Sequence, residues 1–298
     1  MEIVKCDMHV HSYFSGACTT PFVGAFCREC YSDPQEVRHV LERRGMDLFT
    51  LTDHDSIEGS EALRSDPNFF LSEELTCRMP SGTEVHIGVY DFHERQHAQL
   101  LARRNDLVSL LMYLSERRIF FSINHVFSAV TGRREAEDFA WFQEYFPAVE
   151  TRNSHMLEAT NGYAARLAQR WDKVAIGGSD AHALPSVGTA WTEVGGARDK
   201  AEFFEGLKAG KGRVAGESGS FAKLTRDCFK IGFEMIREKS WTAAIAPLAP
   251  LVPVITYLNY RDERAFSSKW AAEILHQPQT PKRSRWVAIP QRAAEEWV

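Results

Sequence analysis

Short apolar runs alternate along the chain with stretches of helical spacing, and nearly every apolar run ends in a polar or ionisable residue. The runs are IVKCDMHV, DLFTLTD, NFFLSEEL, EVHIGVYDF, RIFFSINHV, PAVETRN and KVAIGGSD. Apolar at most positions, they read as strands buried on both faces, as parallel strands are. Between them, SDPQEVRHVLERRG predicts a helix. Asp33 is its N-cap, Pro34 fits the first turn, Val37, Val40 and Leu41 form the buried stripe, and Gly45 stops it. A long helix is predicted over residues 94–118, where Leu100, Leu101, Leu107, Leu110, Leu111 and Leu114 recur at helical spacing. Alternating strands and helices predict a largely parallel sheet. In barrels of that kind the C-terminal strand ends converge on one face. The polar run ends therefore read as one gathered site.

Beyond about residue 216 the pattern changes. FAKLTRDCFKIGFEMIREK predicts an amphipathic helix with Leu224, Cys228, Ile231 and Met235 on one stripe. Residues 241–260, WTAAIAPLAPLVPVITYLNY, carry no charge. Their length suits a membrane span, but Pro247, Pro250 and Pro253 would break a helix repeatedly. The segment is read as apolar chain docked on the body of the protein or on a partner, with membrane contact the less favoured reading. The final stretch, with PKRSRW, reads as a loose or partner-dependent tail.

Composition narrows the classes. With 298 residues, 44% of them hydrophobic and 25% charged, the chain is ordinary globular protein. A net charge of −5 argues against a general nucleic-acid coat and leaves only a nucleic-acid end in a local groove. The first residues, MEIVKCDMHV, lack the basic and apolar regions of a secretory signal. Six scattered cysteines read as reduced thiols, so a cytoplasmic protein is expected. The pair Cys27 and Cys30, with Cys18, lacks a fourth ligand at zinc-site spacing.

The chemistry lies at the run ends. Residues two apart on a strand share a face, so Asp7, His9 and His11 point together, and Asp180 and His182 repeat the arrangement near the end of the strand series. Between them come Asp53, His54 and Asp55, then Glu73 and Glu74, then His86 and His125. Imidazoles mixed with carboxylates suit Zn, Mn or Fe better than Mg alone.

The motifs DMHVHS, LTDHDSIEG, SEELTC with EVHIGVYDF, INHV and GGSDAH, in this order, resemble those of the PHP (polymerase and histidinol phosphatase) domain family. The resemblance covers about residues 1–215. It implies an α/β fold, a distorted (β/α)7 TIM-like barrel, leaving residues 216–298 as a C-terminal extension. It also implies two or three divalent transition metal ions (Mn, Fe or Zn). Carried over by motif, His9, His11, Glu74 and Asp180 would hold one ion, and Glu74 would bridge to a second completed by His86 and His125. A third would use His54 and His182 with an acidic or histidine ligand after the HS motif. There the chain departs from its relatives, with Gly16 in SGA where many have SDG. The third site is then absent, weak, or completed by Asp53, Asp55, Cys18 or the substrate. Asp7 and Asp53 match aspartates that orient the imidazoles rather than bind metal, and Glu73 is expected to face solvent or a supporting donor.

The function expected is hydrolysis of a phosphomonoester or a phosphodiester end by a hydroxide bridging the metals, because paired cations bring a bound water to neutral pKa and clamp phosphate oxygens. Asp180 and His182 are the catalytic candidates, with His182 as the acid for the leaving oxygen if the third metal is missing. Arg152, Asn153, Arg133 and Arg134 are the candidates for holding a small phosphorylated substrate, and Glu150 and His155 share a loop with the first two. Two other classes are carried. An amidohydrolase-like C–N hydrolase also begins with His-x-His, but it often bridges its metals with a modified lysine, and no run here ends in lysine. A non-catalytic metal-stabilised scaffold would recruit a partner through the C-terminal apolar segment.

Overall fold

The computed structural model of the chain describes residues 2–18 and 24–277; the tail with PKRSRW lies outside them. Strands β1 (Ile3–Cys6), β2 (Ser72–Arg78), β3 (Glu84–Tyr90), β4 (Phe120–Ile123), β5 (Ala148–Asn153), β6 (Val174–Gly178), β7 (Ala190–Gly195) and β8 (Gly212–Gly216) build two sheets. One is three-stranded, in the order β1-β7-β8, and antiparallel throughout. The other is five-stranded, in the order β2-β3-β4-β5-β6. Its β2–β3 and β3–β4 pairs are antiparallel and its β4–β5 and β5–β6 pairs parallel.

The result is a mixed α/β fold, less parallel than expected, and among the described residues its two sheets do not close into one barrel ladder. Two local causes are visible. Only residues 79–83 join β2 to β3, with Gly82 at φ +80° in the turn, and so short a link permits only a hairpin. The expected strand DLFTLTD is reduced to single parallel bridges, Cys6↔Leu48, Phe49↔Phe69 and His54↔Glu74. Side chains take the place of its ladder: the Thr52 hydroxyl accepts the Val10 N–H (2.9 Å), and the Asp53 carboxylate accepts the Ser12 N–H (2.6 Å). A further single bridge, Val10↔Ala181, joins the chain after β1 to the chain after β6. The sheets are linked by these bridges without forming one closed ladder.

Helix α1 (Pro34–Arg43) forms as expected: the Asp33 carboxylate accepts the Gln35 N–H (2.8 Å), and Gly45 leaves the helix at φ +74°. The long helix expected over residues 94–118 is two helices, α2 (Glu94–Leu101) and α3 (Leu107–Glu116). The break comes where Asp106 caps α3 by accepting the Ser109 N–H (3.0 Å). Leu100, Leu107, Leu110, Leu111 and Leu114 are buried against the five-stranded sheet with residues of α4 (Ala136–Tyr145) and α5 (Glu158–Trp171). Helix α6 (Lys200–Lys208) packs Phe203, Phe204 and Leu207 into a second cluster with Val4 and Cys6 of β1.

The C-terminal elements differ from expectation in two ways. Helix α7 (Phe221–Glu238) buries Lys223, Asp227 and Met235, while Cys228 is exposed. Polar contacts select that face, since Asp227 accepts from His155 (3.0 Å) and from the Ser186 hydroxyl. The apolar segment then runs as a 3-10 stretch, Ser240–Leu251, containing Pro247 and Pro250, and continues into α8 (Val252–Leu275) with Pro253 in the first turn. It packs on α7 through buried Thr242 and Thr256, but its outer face is uncovered among the described residues: Leu248, Leu251, Val254, Ile255 and Tyr257 are each about half exposed or more. By length and composition alone, Ser240–Leu275 is apolar enough to cross a membrane. The far end of α8 is different. Trp270, Ala271 and Ile274 join the main core, with the Trp270 ring 5.5 Å from that of Phe139.

Candidate metal centre

Chain segments from both sheets converge on a buried cluster of imidazoles and carboxylates. Asp7 organises the approach: its carboxylate accepts the N–H groups of Ser179 (2.7 Å), Gly188 (2.9 Å) and His9 (3.2 Å). The chain after β1 is thereby stitched to the chain after β6, and Asp180 N–H donates to the His9 carbonyl at 2.6 Å. Gly178 permits that closeness, because a Cβ there would lie 2.3 Å from the His9 nitrogen. His125 and Asp180 hold left-handed backbone, at φ 28° and 52°, conformations uncommon outside glycine and frequent where side chains must be aimed.

Two donor groups share Glu74. His9 Nε2 lies 3.1 Å from His11 Nε2, 3.1 Å from Glu74 Oε2 and 3.5 Å from Asp180 Oδ1. His11 Nε2 is 3.5 Å from Glu74 Oε2 and 3.3 Å from Asp180 Oδ1. Glu74 Oε1, the other oxygen, is 3.3 Å from His125 Nε2 and 3.5 Å from His86 Nδ1, which are 3.3 Å from each other. Tetrahedral ligands about 2.1 Å from an ion stand about 3.4 Å apart. The donors are therefore spaced as ligands of common ions, and with only imidazole and carboxylate among them they fit divalent transition metals. His54 and His182 adjoin the cluster, their rings 4.7 and 4.2 Å from that of His11 and 6.4 Å from each other.

Hydrogen bonds set each ring. Glu150 accepts His9 Nδ1–H at 2.8 Å, which turns His9 Nε2 toward the cluster. His11 Nδ1 meets Ser15 Oγ (2.8 Å), and that hydroxyl donates to Asp53 (3.0 Å). His182 Nδ1–H donates to the Asp180 carbonyl (2.9 Å), leaving its Nε2 buried with no hydrogen-bond partner. Asn124 donates to Glu74 (2.8 Å) and Asn153 to Asp180 (3.0 Å).

Electrostatics keep the lone pairs of Glu74, Asp180 and His11 available, whereas at His9, His125 and His182 burial is outweighed by neighbouring carboxylates, which raise the pKa. Burial pushes the Glu74 carboxyl up, but His9, His86 and His54 outweigh it and hold the group well below its usual range. Asp180 is held low in the same way by His9, His11 and His182. Burial, with His182 adding, drives His11 down to about 3, so this imidazole is neutral.

All eight side chains expected as ligands lie in this cluster or against it, and Asp7 and Asp53 sit behind it as orienting groups. The substrate candidates fare differently. Arg152 pairs with Glu158 (2.7 Å) and donates to Ser218 (2.7 Å), while Asn153 is buried on Glu150 and Asp180. Arg134 is buried and donates to the Glu84 carbonyl (2.6 Å), and Arg133 is exposed. Of the two alternatives expected for Glu73, the structure has the supporting donor. Glu73 is fully buried and accepts from His97 at 2.8 Å. Glu150, read as facing substrate, instead orients His9. Two residues beside the cluster escaped sequence reading: Asn124, which donates to Glu74, and Glu29, whose Oε2 lies 3.5 Å from His54 Nε2. Asn124 carried a signal, because it directly precedes His125 at a strand end; Glu29 carried none within any motif.

Comparison with known proteins agrees with this architecture. Residues 158–211 match a family model described as PHP-associated. No curated protein matches the chain. Among solved structures, the fold is similar to that of a two-domain protein from Bacteroides vulgatus containing a predicted PHP-like metal-dependent phosphoesterase. The TM-score is 0.56 at 19% identity, over 77% of this chain and 70% of that one. It is also similar to PsfC from Pseudomonas syringae, with a TM-score of 0.52 at 17% identity, over 79% of this chain and 98% of that one. A PHP-associated segment at residues 158–211 and a fold similar to that of a protein containing a predicted PHP-like phosphoesterase are what the comparisons show for this chain.

Proposed function

We propose that this protein is a metal-dependent phosphoesterase. The observation that carries the reading is the placement of Glu74, whose two oxygens face two different donor groups, His9 and His11 on one side and His86 and His125 on the other. His9, His11, Glu74 and Asp180 would hold one divalent transition ion, and Glu74, His86 and His125 a second. When bound, paired ions of this kind supply a water of near-neutral pKa and charge stabilisation for a phosphoryl group.

The protein's own side chains do the rest. His9, His11, His125 and Glu74 are almost wholly buried and hold the floor of the site, while His54, His86, Asp180 and His182 are 11–20% exposed at the side chain and form its open face. A substrate approaches from that face. His182 borders a cavity that Tyr31, Ser32, Lys230 and Arg237 also line, and only with no ion on its Nε2 is it the candidate proton donor for the leaving oxygen. The cavity suits a small phosphorylated substrate; a nucleic-acid end needs only the same phosphoester chemistry. Carboxylate bridging by Glu74 argues against the lysine-bridged amidohydrolase arrangement.

The test is metal analysis of protein purified without chelators, paired with turnover of p-nitrophenyl phosphate and bis-p-nitrophenyl phosphate by wild type and Glu74→Ala. The wild type is expected to carry metal and hydrolyse at least one ester, and the variant to lose both. Equal activity in the two proteins would overturn the reading.

A further inference from the structure

The position after the HS motif where a metal ligand is expected holds Gly16, and the backbone there excludes a simple repair. Its φ of 88° and ψ of −153° belong to a region essentially reserved for glycine, and a Cβ would find nothing within 4 Å. The chain nevertheless returns to this point. Ala17 and Arg28 form an antiparallel bridge, Cys18 N–H donates to the Cys27 carbonyl (3.0 Å), and Glu29 N–H donates to the carbonyl of Gly16 itself (3.2 Å). Glu29 is thus set directly beside the residue that cannot ligate.

Its carboxylate spans the two histidines left without a third partner. Oε2 lies 3.5 Å from His54 Nε2 and Oε1 3.6 Å from His182 Nε2. Both distances exceed ordinary hydrogen bonds and suit ligands of a shared ion. His182 is already aimed: the Asp180 carbonyl takes its Nδ1–H, and the buried Nε2 has no hydrogen-bond partner. The return strand is anchored from behind. Arg28 stacks on Tyr13 (3.8 Å) and pairs with Glu238 of α7 (3.1 Å), which also accepts from the Tyr13 hydroxyl (2.8 Å).

The nearby aspartates are committed elsewhere. Asp53 accepts Ser12 N–H, Ser12 Oγ–H and Ser15 Oγ–H, and Asp55 accepts Thr76 N–H and pairs with Arg104. We propose that Glu29 is the carboxylate ligand of a third divalent-metal site with His54 and His182, supplied by a loop return in place of the residue missing at Gly16. The inference rests on the metal-centre reading above and adds a ligand that lies outside the motifs.

The test is calorimetric titration of the chelator-stripped full chain with Mn²⁺ and separately with Zn²⁺, with metal content measured after gel filtration. Wild type is expected to take up three equivalents and Glu29→Gln two, with the weakest phase lost. Glu29→Asp is expected to recover part of that phase, and His182→Ala to lose it as Glu29→Gln does. Circular dichroism melting confirms that each variant is folded. Equal stoichiometry and affinity in wild type and Glu29→Gln would overturn the assignment while leaving the two-ion reading standing. Failure of that reading looks different: wild type takes up no metal, or Glu74→Ala takes up as much as wild type.

Discussion

The Glu150 carboxylate accepts the Nδ1–H of His9 at 2.8 Å, and its other oxygen accepts the backbone N–H of His125 at 2.8 Å. One side chain from β5 therefore sets a ring in one donor group and a backbone position in the other. Outer partners of this kind commonly contribute 10- to 100-fold in metal affinity. Glu150→Ala is expected to weaken the tightest binding phase by about that factor while the protein stays folded. Titration with Zn²⁺ checks it, and an unchanged affinity would show that His9 needs no orienting carboxylate.

Gly178→Ala is a steric test of the same region. The added methyl would lie 2.3 Å from the His9 nitrogen and 2.4 Å from its Cβ, backbone and near-backbone atoms that cannot swing aside. Overpacking of this kind costs about 1–3 kcal/mol. Urea unfolding should report that loss, and metal content should fall with it, because displacing His9 disrupts its ring.

Gly16→Asp should not rebuild a motif ligand. The strained backbone at this position costs a non-glycine residue about 1–3 kcal/mol. The variant is expected to melt at lower temperature and to bind no more metal than wild type. A gain of one equivalent would mean that the loop relaxes easily and that the carboxylate of Glu29 is dispensable.

Lys173 gives a pH signature away from the site. Burial lowers its pKa to about 8, against a smaller opposing pull from Glu144 and Asp172. The unfolded chain then holds more protons than the folded one between about pH 8 and the ordinary lysine value of about 10.4. Stability from this group therefore rises with pH across that window, and below it the charged form is disfavoured in the fold. Subtracting the unfolding curve of Lys173→Met from that of wild type should isolate the rise; a flat difference would refute it.

Trp270→Ala tests whether the end of α8 belongs to the main core. The indole is nearly fully buried beside Phe139 and Phe266, in the cluster that the α3 leucines also join. Truncating such a side chain costs about 3–5 kcal/mol. Unfolding should stay a single transition with a lower midpoint. A loss under about 1 kcal/mol would make α8 a peripheral attachment.

The ligands were legible because they sit at run ends with alternate spacing, which is a local signal. Asp7, His9 and His11 needed only strand periodicity, and the order of motifs supplied the rest. The sheet was less legible. Runs apolar on every position do not reveal strand direction, so the antiparallel β2–β3 pair was hidden in a turn of five residues, 79–83. Asp106 had the chemistry to cap α3, yet the leucine spacing runs through it and masked the break. Glu29 was invisible for a different reason: its relation to His54 and His182 exists only once the loop doubles back on Gly16, and no periodicity encodes a return of that kind. On α7 the stripe member Met235 is buried, but so are the polar Lys223 and Asp227, which a reading based on apolar stripes could not pick out.

Glu74 stands opposite Gly88 in the hairpin, and His86 is two residues along that same strand. Both therefore emerge on one side of the ribbon. A slip of a single residue in this pairing turns a strand over relative to its neighbour and separates the two chelating groups. An ion held by both groups would therefore reward one alignment of the hairpin over its nearest competitors, and would proofread strand pairing as it bound.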